Sequence, residues 1–201
     1  MVVISSSSAS PTHLTYPATL PSAPDHLSVL SYNVLLPNSI DGWWNYKMYH
    51  PTTEDKYNIE NIYKISTWEY RSSLLKTKIQ QINPDIVCMQ EVSPESFTQD
   101  FEFMLELGYD GVEMFRRGRF RPATFWKKEK CTLVTDTIHK DRTLLTVFQL
   151  NGLEDSHPSY GRNWHVLNCH LQAGPEGKRR VRQIDDGVKS SVRAAKMLKG
   201  K

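Results

Sequence analysis

Residues 84 to 92 of this 201-residue chain read PDIVCMQEV. The run from Asp85 to Met89 is short and mostly apolar, which is typical of a strand buried on both faces. Glu91 follows at the carboxyl end of this run, and α/β proteins bind their ligands in the crevice at that end of their strands. The stretch therefore predicts a buried strand that carries a carboxylate to a ligand-binding edge.

A single carboxylate at such an edge is a candidate magnesium ligand. Mg²⁺ usually takes one or two protein carboxylates and completes its shell with waters and with phosphate oxygens of the substrate. A glutamate after a strand is also a common surface residue, so Glu91 taken alone leaves both interpretations open.

Two further polar residues lie in apolar, strand-like runs. Residues 27 to 36, LSVLSYNVLL, predict a strand buried on both faces, with Asn33 inside it. A buried amide needs hydrogen-bond partners, which either a catalytic carboxylate or the backbone can supply. His170 lies at the end of the run from 164 to 171, where an imidazole either donates to a phosphoryl oxygen or packs as a core histidine.

Three helices are predicted between and after these runs. The first ends at Pro84, the second runs from Pro94, capped by Ser93, to Gly108, and the third ends near Gly200. Apolar spacing gives the first helix a core face of Trp68, Leu75, Ile79 and Ile82, and the third a core face of Val181, Ile184, Val188, Val192 and Ala195.

Several strands follow one another without a helix between them. Strand-like runs lie near residues 111–115, 122–127, 143–150 and 164–171. Consecutive strands of this kind favour an α/β layered domain over a strict βαβ repeat.

The composition is that of a globular domain. Apolar residues make up 39% of the chain, and the sequence has no run of 18 apolar residues, which excludes a fully disordered chain and a transmembrane helix. The three cysteines, Cys88, Cys131 and Cys169, are too few and too scattered for a disulfide framework or a zinc motif. We therefore expect a reducing compartment, the cytosol or the nucleus.

The charge is unevenly distributed. Residues 162 to 201 contain 10 Lys or Arg against 3 Asp or Glu, whereas residues 1 to 161 contain 15 against 19. A basic C-terminal segment on a mildly acidic body indicates either a polyanionic partner or a solvated helix face.

Two segments lack the pattern of packed secondary structure. Residues 1 to 25 are rich in Ser, Thr, Pro and Ala and contain no Lys or Arg, so they predict a disordered tail rather than a signal or transit peptide. Residues 38 to 66 form a long insert rich in Trp and Tyr. Its aromatic side chains either stack on unpaired bases or pack the insert onto the domain.

Four motifs follow one another in a characteristic order. They are LSYNVL at residues 30–35, WEYR at 68–71, PDIVCMQEV at 84–92 and NCHL at 168–171. In this order they resemble the endonuclease/exonuclease/phosphatase superfamily and, within it, the deadenylase and nocturnin branch. The resemblance extends over about residues 27 to 199.

The resemblance implies a DNase I-like fold, a two-sheet α/β sandwich with its site at one edge. In the superfamily, the glutamate that matches Glu91 binds Mg²⁺, for which Mn²⁺ is the possible substitute. The asparagine that matches Asn33 supports the site, and the histidine that matches His170 contacts the scissile phosphate. These roles imply hydrolysis in which water attacks phosphorus in line.

The same resemblance assigns substrate contacts to residues after His170. Pro175 matches a substrate-contacting proline of the branch. Arg179, Arg182 and Gln183 are similar to its R-x-x-R-Q segment, which makes the two arginines candidate substrate-binding residues.

The chain departs from the superfamily pattern in its C-terminal part. The superfamily continues with an Asp-x-Asn motif and closes with an Asp-His pair. This sequence contains no Asp-x-Asn, and its one Asp-His pair, Asp25-His26, precedes the first strand. We therefore expect residues 26–201 to form the N-terminal two-thirds of such a domain, with the C-terminal part missing.

These features favour a magnesium-dependent phosphodiesterase, and in the complete protein a 3′ exoribonuclease that acts on poly(A)-type RNA. RNA or a nucleotide is the expected partner, with no membrane and no obligate protein partner. Arg116, Arg117, Arg119 and Arg121 are expected to guide phosphates. The alternatives are a nucleotide phosphatase or 2′,5′-phosphodiesterase, and an inactive nucleic-acid-binding or scaffold fragment.

Overall fold

The computed structural model describes residues 26–37, 67–113 and 121–199. The predicted tail at 1–25, the aromatic insert at 38–66, and Arg116, Arg117 and Arg119 lie outside the described residues. None of the helices in the described ranges is long and apolar enough to cross a bilayer.

The described residues form eight strands and four helices, and the helices lie between the strands and after the last one. In chain order the elements are β1 (Val29–Asn33), α1 (Trp68–Ile82), β2 (Ile86–Val92), α2 (Phe97–Asp100), α3 (Glu102–Glu106), β3 (Tyr109–Glu113), β4 (Arg121–Lys127), β5 (Cys131–Leu133), β6 (Ile138–Lys140), β7 (Thr143–Leu150), β8 (Trp164–Cys169) and α4 (Gly177–Lys199).

The strands form two sheets. The first has the order β1-β2-β4-β3, in which β1 and β2 are parallel and the other neighbours are antiparallel. In the second, β7 pairs antiparallel with β5, β6 and β8. The strand that carries Glu91 thus lies in the first sheet, and the strand that leads to His170 lies in the second.

The two sheets pack against each other, with a helical layer on each outer side. Alternate side chains of β2 point in opposite directions, so Ile86 and Cys88 meet the second sheet while Val87 and Met89 pack under α1 and α3. On the far side, α4 packs on Leu145 and Val147 of β7 through Ala194 and Leu198. The predicted two-sheet α/β sandwich is confirmed.

The strand β1 differs from the prediction that it is buried on both faces. Among the described strands it lies at the edge of the first sheet and pairs with β2 alone. Val29 is 51% exposed and Tyr32 is 49% exposed, whereas Val34 and Leu36, beyond the strand, are buried. The run of apolar residues therefore covers both an exposed edge strand and the buried turn that follows it.

The second predicted helix begins later than expected and is divided in two. Pro94 lies in a turn, and Ser93 Oγ donates to Glu95 Oε2 at 2.9 Å instead of capping a helix. The helical residues begin at Phe97, in α2. Gly108, with a φ of 82°, follows the end of α3 as predicted.

Helix α4 covers the predicted segment but buries a different face. The predicted core positions Val181, Ile184, Val188 and Val192 are exposed, and the buried positions are Gln183, Gly187, Ser190 and Ala194. A Cβ at position 187 would lie 2.8 Å from Leu167 Cδ2. Small residues on this face allow α4 to approach β8 closely, and this close contact outweighs the apolar pattern of the other face.

Candidate active site

Asn33 ends β1 and organises the turn that follows it. Its Oδ1 accepts a 2.9 Å hydrogen bond from the backbone N–H of Leu35, whose φ is 54°. Such an Asx turn lets a short polar side chain replace a backbone partner. The guanidinium of Arg71, which lies 5.3 Å from the ring centre of Trp68, donates to the Val34 carbonyl of the same turn. The WEYR helix therefore anchors the loop that holds Asn33.

Glu91 lies in a β-bulge. In the pairing of β2 with β4, the register shifts between Met89 and Val92, so that two residues of β2 oppose Pro122 alone. Proline has no backbone N–H to donate to the ladder, which suits a position opposite a bulge. Glu91 itself has a φ of 63°, a left-handed conformation that is uncommon outside glycine. The bulge redirects its side chain at the end of the strand.

The Glu91 carboxylate meets one side chain from each of two other strands. Asn33 Nδ2 donates a 2.9 Å hydrogen bond to Glu91 Oε1. His170 Nε2 lies 3.9 Å from the same oxygen, and the side chains of His170 and Glu91 are 19% and 17% exposed. The structure therefore brings together the three candidate residues that the sequence places at the ends of β1, β2 and β8.

The backbone of His170 is held by the turn between β6 and β7. Its N–H donates a 2.9 Å hydrogen bond to the carbonyl of Arg142. Burial lowers the pKa of His170 below its usual value of 6.5; the nearby Glu91 charge opposes this shift and the Arg142 charge adds to it. At pH 7 the imidazole is therefore neutral, with one N–H available to donate. The sequence analysis missed Arg142, since a charged residue in a tight turn is usually plain surface.

Asn168 connects the two sheets beneath this cluster. Its Nδ2 donates to the carbonyls of Met89 at 3.0 Å and of Ala123 at 2.8 Å, and its Oδ1 accepts from Gln90 Nε2 at 2.9 Å. The residue is only 2% exposed. The sequence analysis assigned it no role, although an amide on the inward-facing side of a strand is a signal of buried polar contacts.

The candidate substrate-binding residues follow His170 in the chain, and among the described residues none of them bonds to the Glu91 carboxylate. Arg179 and Arg182 line an open groove of about 360 Å³ together with Asp141, Gln183 and Asp186. Pro175 is exposed in the preceding loop, where its carbonyl accepts from Gly177 N at 2.7 Å. Within the described ranges, no hydrogen bond or ion pair joins Pro175, Arg179 or Arg182 to the Glu91 cluster.

Gln183 ties this groove to the His170 loop. Its side chain is 2% exposed, donates to Asp141 Oδ2 at 2.6 Å and accepts from Gln172 N at 3.0 Å. Asp141 belongs to the same turn as Arg142, and Gln172 is two residues after His170. The basic start of α4 is therefore fixed relative to the histidine by buried hydrogen bonds.

A model of the Endonuclease/Exonuclease/phosphatase family matches residues 30–189, which include Asn33, Glu91 and His170. The chain belongs to this family. The family that the four motifs predict is thus confirmed.

Curated relatives belong to the predicted deadenylase branch of the endonuclease/exonuclease/phosphatase family. The CCR4-Not complex 3′-5′-exoribonuclease subunit Ccr4 of Candida albicans is 31% identical over 189 residues, covering 77% of this chain and 22% of Ccr4. Protein angel homolog 2 of Danio rerio is 30% identical over 117 residues, covering 56% of this chain and 18% of the relative. The chain thus spans about a fifth of the length of these relatives.

Solved structures of the family share the fold. ANGEL2, described as a 2′,3′-cyclic phosphatase and solved with adenosine-2′,3′-vanadate, aligns with a TM-score of 0.58 and 21% identity, covering 79% of this chain and 45% of that one. The human Nocturnin catalytic domain with bound sulfate aligns with a TM-score of 0.50 and 21% identity, covering 65% and 54%. At these identities the likeness establishes the fold.

The side chains of Asn33, Glu91 and His170 suit a hard cation that keeps most of its bound water. Among the described residues, His170 is the one basic side chain within 4.0 Å of the Glu91 carboxylate, and it is neutral at pH 7. The Glu91 side chain is largely buried and lies next to the neutral amide of Asn33 and the imidazole of His170. One such carboxylate fits Mg²⁺ bound through waters and a substrate phosphate. The described residues contain no group of three or more His, Cys, Asp or Glu side chains placed to hold a metal.

Proposed function

We propose that this chain carries the Mg²⁺-binding part of a phosphodiesterase that hydrolyses RNA from its 3′ end, with poly(A)-type RNA as substrate. The observation that carries the proposal is the meeting of Asn33 Nδ2 and His170 Nε2 at Glu91 Oε1, at 2.9 Å and 3.9 Å. The similarity to Ccr4, a 3′-5′ exoribonuclease, supports the choice of reaction.

Glu91 is the proposed metal ligand, with Asn33 as its support. The hydrogen bond from Asn33 fixes the rotamer of the carboxylate, and partners of this kind around a metal ligand are commonly worth 10- to 100-fold in affinity or activity. Bound Mg²⁺, or Mn²⁺ in its place, supplies charge stabilisation to the phosphate.

His170 is the proposed contact to the scissile phosphate. Since burial keeps its imidazole neutral at pH 7, it can donate one hydrogen bond to a non-bridging oxygen without adding a full charge. A preorganised donor of this kind stabilises the negative charge that develops as the phosphorus is attacked.

Pro175, Arg179 and Arg182 are the proposed substrate-binding residues. Arg179 Nε lies 4.0 Å from Asp141 Oδ2, both side chains are close to half exposed, and the groove is open to ligand. Guanidinium groups bind phosphate oxygens in a bidentate manner, so the start of α4 can hold phosphates of the strand near the scissile bond.

A second candidate is a phosphatase that acts on RNA ends or nucleotides. The structural likeness to ANGEL2, a 2′,3′-cyclic phosphatase, favours it, because the same carboxylate and histidine serve either reaction on a phosphate ester. We propose the cytosol or nucleus as the compartment and no obligate protein partner for either activity.

Product analysis separates these candidates. The purified chain is incubated with Mg²⁺ and three 5′-labelled oligoadenylates, which carry a 3′-hydroxyl end, a 2′,3′-cyclic phosphate end or 2′,5′ linkages. A ladder of shortened products from the oligoadenylate with a 3′-hydroxyl end, abolished by Glu91→Gln, supports the exonuclease. Opening of the cyclic phosphate alone supports the phosphatase, and shortening of the 2′,5′-linked substrate supports a 2′,5′-phosphodiesterase. RNA binding without any turnover supports the inactive nucleic-acid-binding fragment over all of these activities.

A matched control variant is Glu106→Gln. Glu106 is an exposed carboxylate on α3 that pairs with Lys76 of α1, and among the described residues it has no hydrogen bond or ion pair with Asn33, Glu91 or His170. The loss of the Glu106 carboxylate should leave turnover unchanged. An equal fall in turnover in Glu91→Gln and Glu106→Gln would therefore indicate a general effect of charge.

A further inference from the structure

The left-handed conformation of Glu91 needs a structural cause. A non-glycine residue at a φ of 63° is strained, and such residues persist where the surrounding structure over-determines them. The bulge around Glu91 also interrupts the pairing of β2 with β4. Something must therefore hold the strand in this conformation.

Asn168 is the described side chain that holds both sides of the bulge. One of its donated hydrogen bonds reaches the Met89 carbonyl on β2, and the other reaches the Ala123 carbonyl on β4. These are the two residues paired immediately before the register shifts. The side chain thus fixes the position from which the bulge begins.

The third hydrogen bond of Asn168 comes from Gln90, a residue inside the bulge. Gln90, the residue between Met89 and Glu91, donates from Nε2 to Asn168 Oδ1 at 2.9 Å. The same Nε2 also lies 3.2 Å from Ser31 Oγ of β1. Both N–H donors and one acceptor position of the buried amide are therefore used on β2 and β4, the two strands that form the bulge, and a satisfied buried network specifies one arrangement.

We propose that Asn168 is a positioning residue that holds Glu91 in its left-handed conformation and so brings its carboxylate to His170. The amide lies on β8 of the second sheet, two residues before His170, while all three partners lie on the first sheet. One side chain that crosses the interface between the sheets therefore links the strand of Glu91 to the strand that leads to His170. The inference deepens the proposed function and rests on it for the roles of Glu91 and His170.

The experiment compares Asn168→Ala with Asn151→Ala by NMR, without metal or substrate. Asn151 is a matched control because its side chain also makes three hydrogen bonds, to Thr132 and to the carbonyls of Lys128 and Glu129, at the far end of β7. The ¹³Cα and ¹³Cβ shifts of Glu91 report whether its φ is positive or negative. We expect left-handed shifts in the wild type and in Asn151→Ala, and extended-strand shifts in Asn168→Ala.

A second variant keeps the test decisive if Asn168→Ala unfolds. Asn168→Asp retains the side-chain shape and the acceptor for Gln90 but lacks both donors to the carbonyls, so it should show the same change at Glu91. Wild-type Glu91 shifts in either folded variant would overturn the proposal, as would an equal change in Asn151→Ala. Because no turnover is measured, this outcome is independent of whether the chain is a hydrolase.

Where the chain is active, kinetics add a second readout. Asn168→Ala should lower kcat by about 10- to 100-fold, as expected of a residue that orients a ligand group. KM should change little, because Arg179 and Arg182 are untouched. A fall in kcat/KM of the same size that came from KM alone would contradict the positioning role.

Discussion

Asn33 and Glu91 lie 58 positions apart in the sequence, yet the Asn33 amide donates a 2.9 Å hydrogen bond to the Glu91 carboxylate. The parallel pairing of β1 with β2 explains this contact, since Asn33 is in register with Gln90, the neighbour of Glu91. The carboxyl ends of parallel strands meet at one edge, and the bulge turns Glu91 toward that edge.

Replacing Asn33 by alanine should impair activity much more than stability. The lost hydrogen bonds lie at a solvent-exposed position, so the free energy of unfolding should fall by about 1 kcal/mol. Turnover should fall by roughly 10- to 100-fold, because the metal ligand loses its support. Urea denaturation and initial rates on the same preparations measure both effects.

The control for Asn33→Ala is Asn163→Ala. Asn163 accepts a 2.9 Å hydrogen bond from Gln149 Nε2 at the opposite end of the second sheet. It should lose a comparable amount of stability with full turnover. Equal losses of turnover in the two variants would contradict a specific role for Asn33.

Stability should fall in mildly acidic solution because of His170. Burial lowers its folded pKa below the usual 6.5, so the unfolded chain takes up a proton that the folded site resists. The contribution of His170 to the free energy of unfolding is therefore fully present above pH 6.5 and is lost as the pH falls toward the pKa of His170 in the folded state. The melting temperature measured between pH 7.5 and 5.5 should decline.

The comparison for this pH effect is His170→Gln, which lacks the titrating group. Its melting temperature should decline less over the same range, with the remaining slope partly due to His165, whose pKa burial also lowers. Identical slopes in the two proteins would show that His170 is not held in its neutral form.

Adjacent substitutions on α4 test which face of the helix is buried. Gly187→Val places a side chain where even a Cβ would lie 2.8 Å from Leu167, so overpacking should cost about 1–3 kcal/mol. Val188 is 49% exposed, so Val188→Ala should leave stability unchanged or slightly higher, since alanine favours the helix. Thermal denaturation of both variants measures the difference. If Val188→Ala were the more destabilising substitution, the predicted apolar face of α4 would be the buried one.

The sequence predicted the strands better than the helix faces. Apolar runs located β2, β4, β7 and β8, because buried strands require continuous hydrophobic residues. The strands β5 and β6 have only three residues each and carry no periodic signal. The buried face of helix α4 was predicted wrongly because small residues, Gly187 and Ser190, make its close contacts, and a pattern of large apolar residues does not detect them.

The site could be predicted as a set of residues, although its supporting contacts could not. Asn33 and Glu91 lie at the carboxyl ends of β1 and β2, His170 follows β8, and strand ends converge at one edge. Asn168 and Gln183 act through hydrogen bonds to distant segments, and no local sequence pattern encodes such partners. The bulge at Glu91 depends on the pairing with Pro122, which only the register of two strands reveals.

The most direct test of the account is a Mg²⁺ titration of the wild type, Glu91→Gln and Glu106→Gln, followed by the NMR resonances of residues 89 to 92. Because a single carboxylate is the proposed ligand, the wild type should saturate weakly, at roughly millimolar Mg²⁺. Glu106→Gln should bind as the wild type does, and Glu91→Gln should show no saturable change while remaining folded. Equal Mg²⁺ affinity in the wild type and Glu91→Gln would contradict the account.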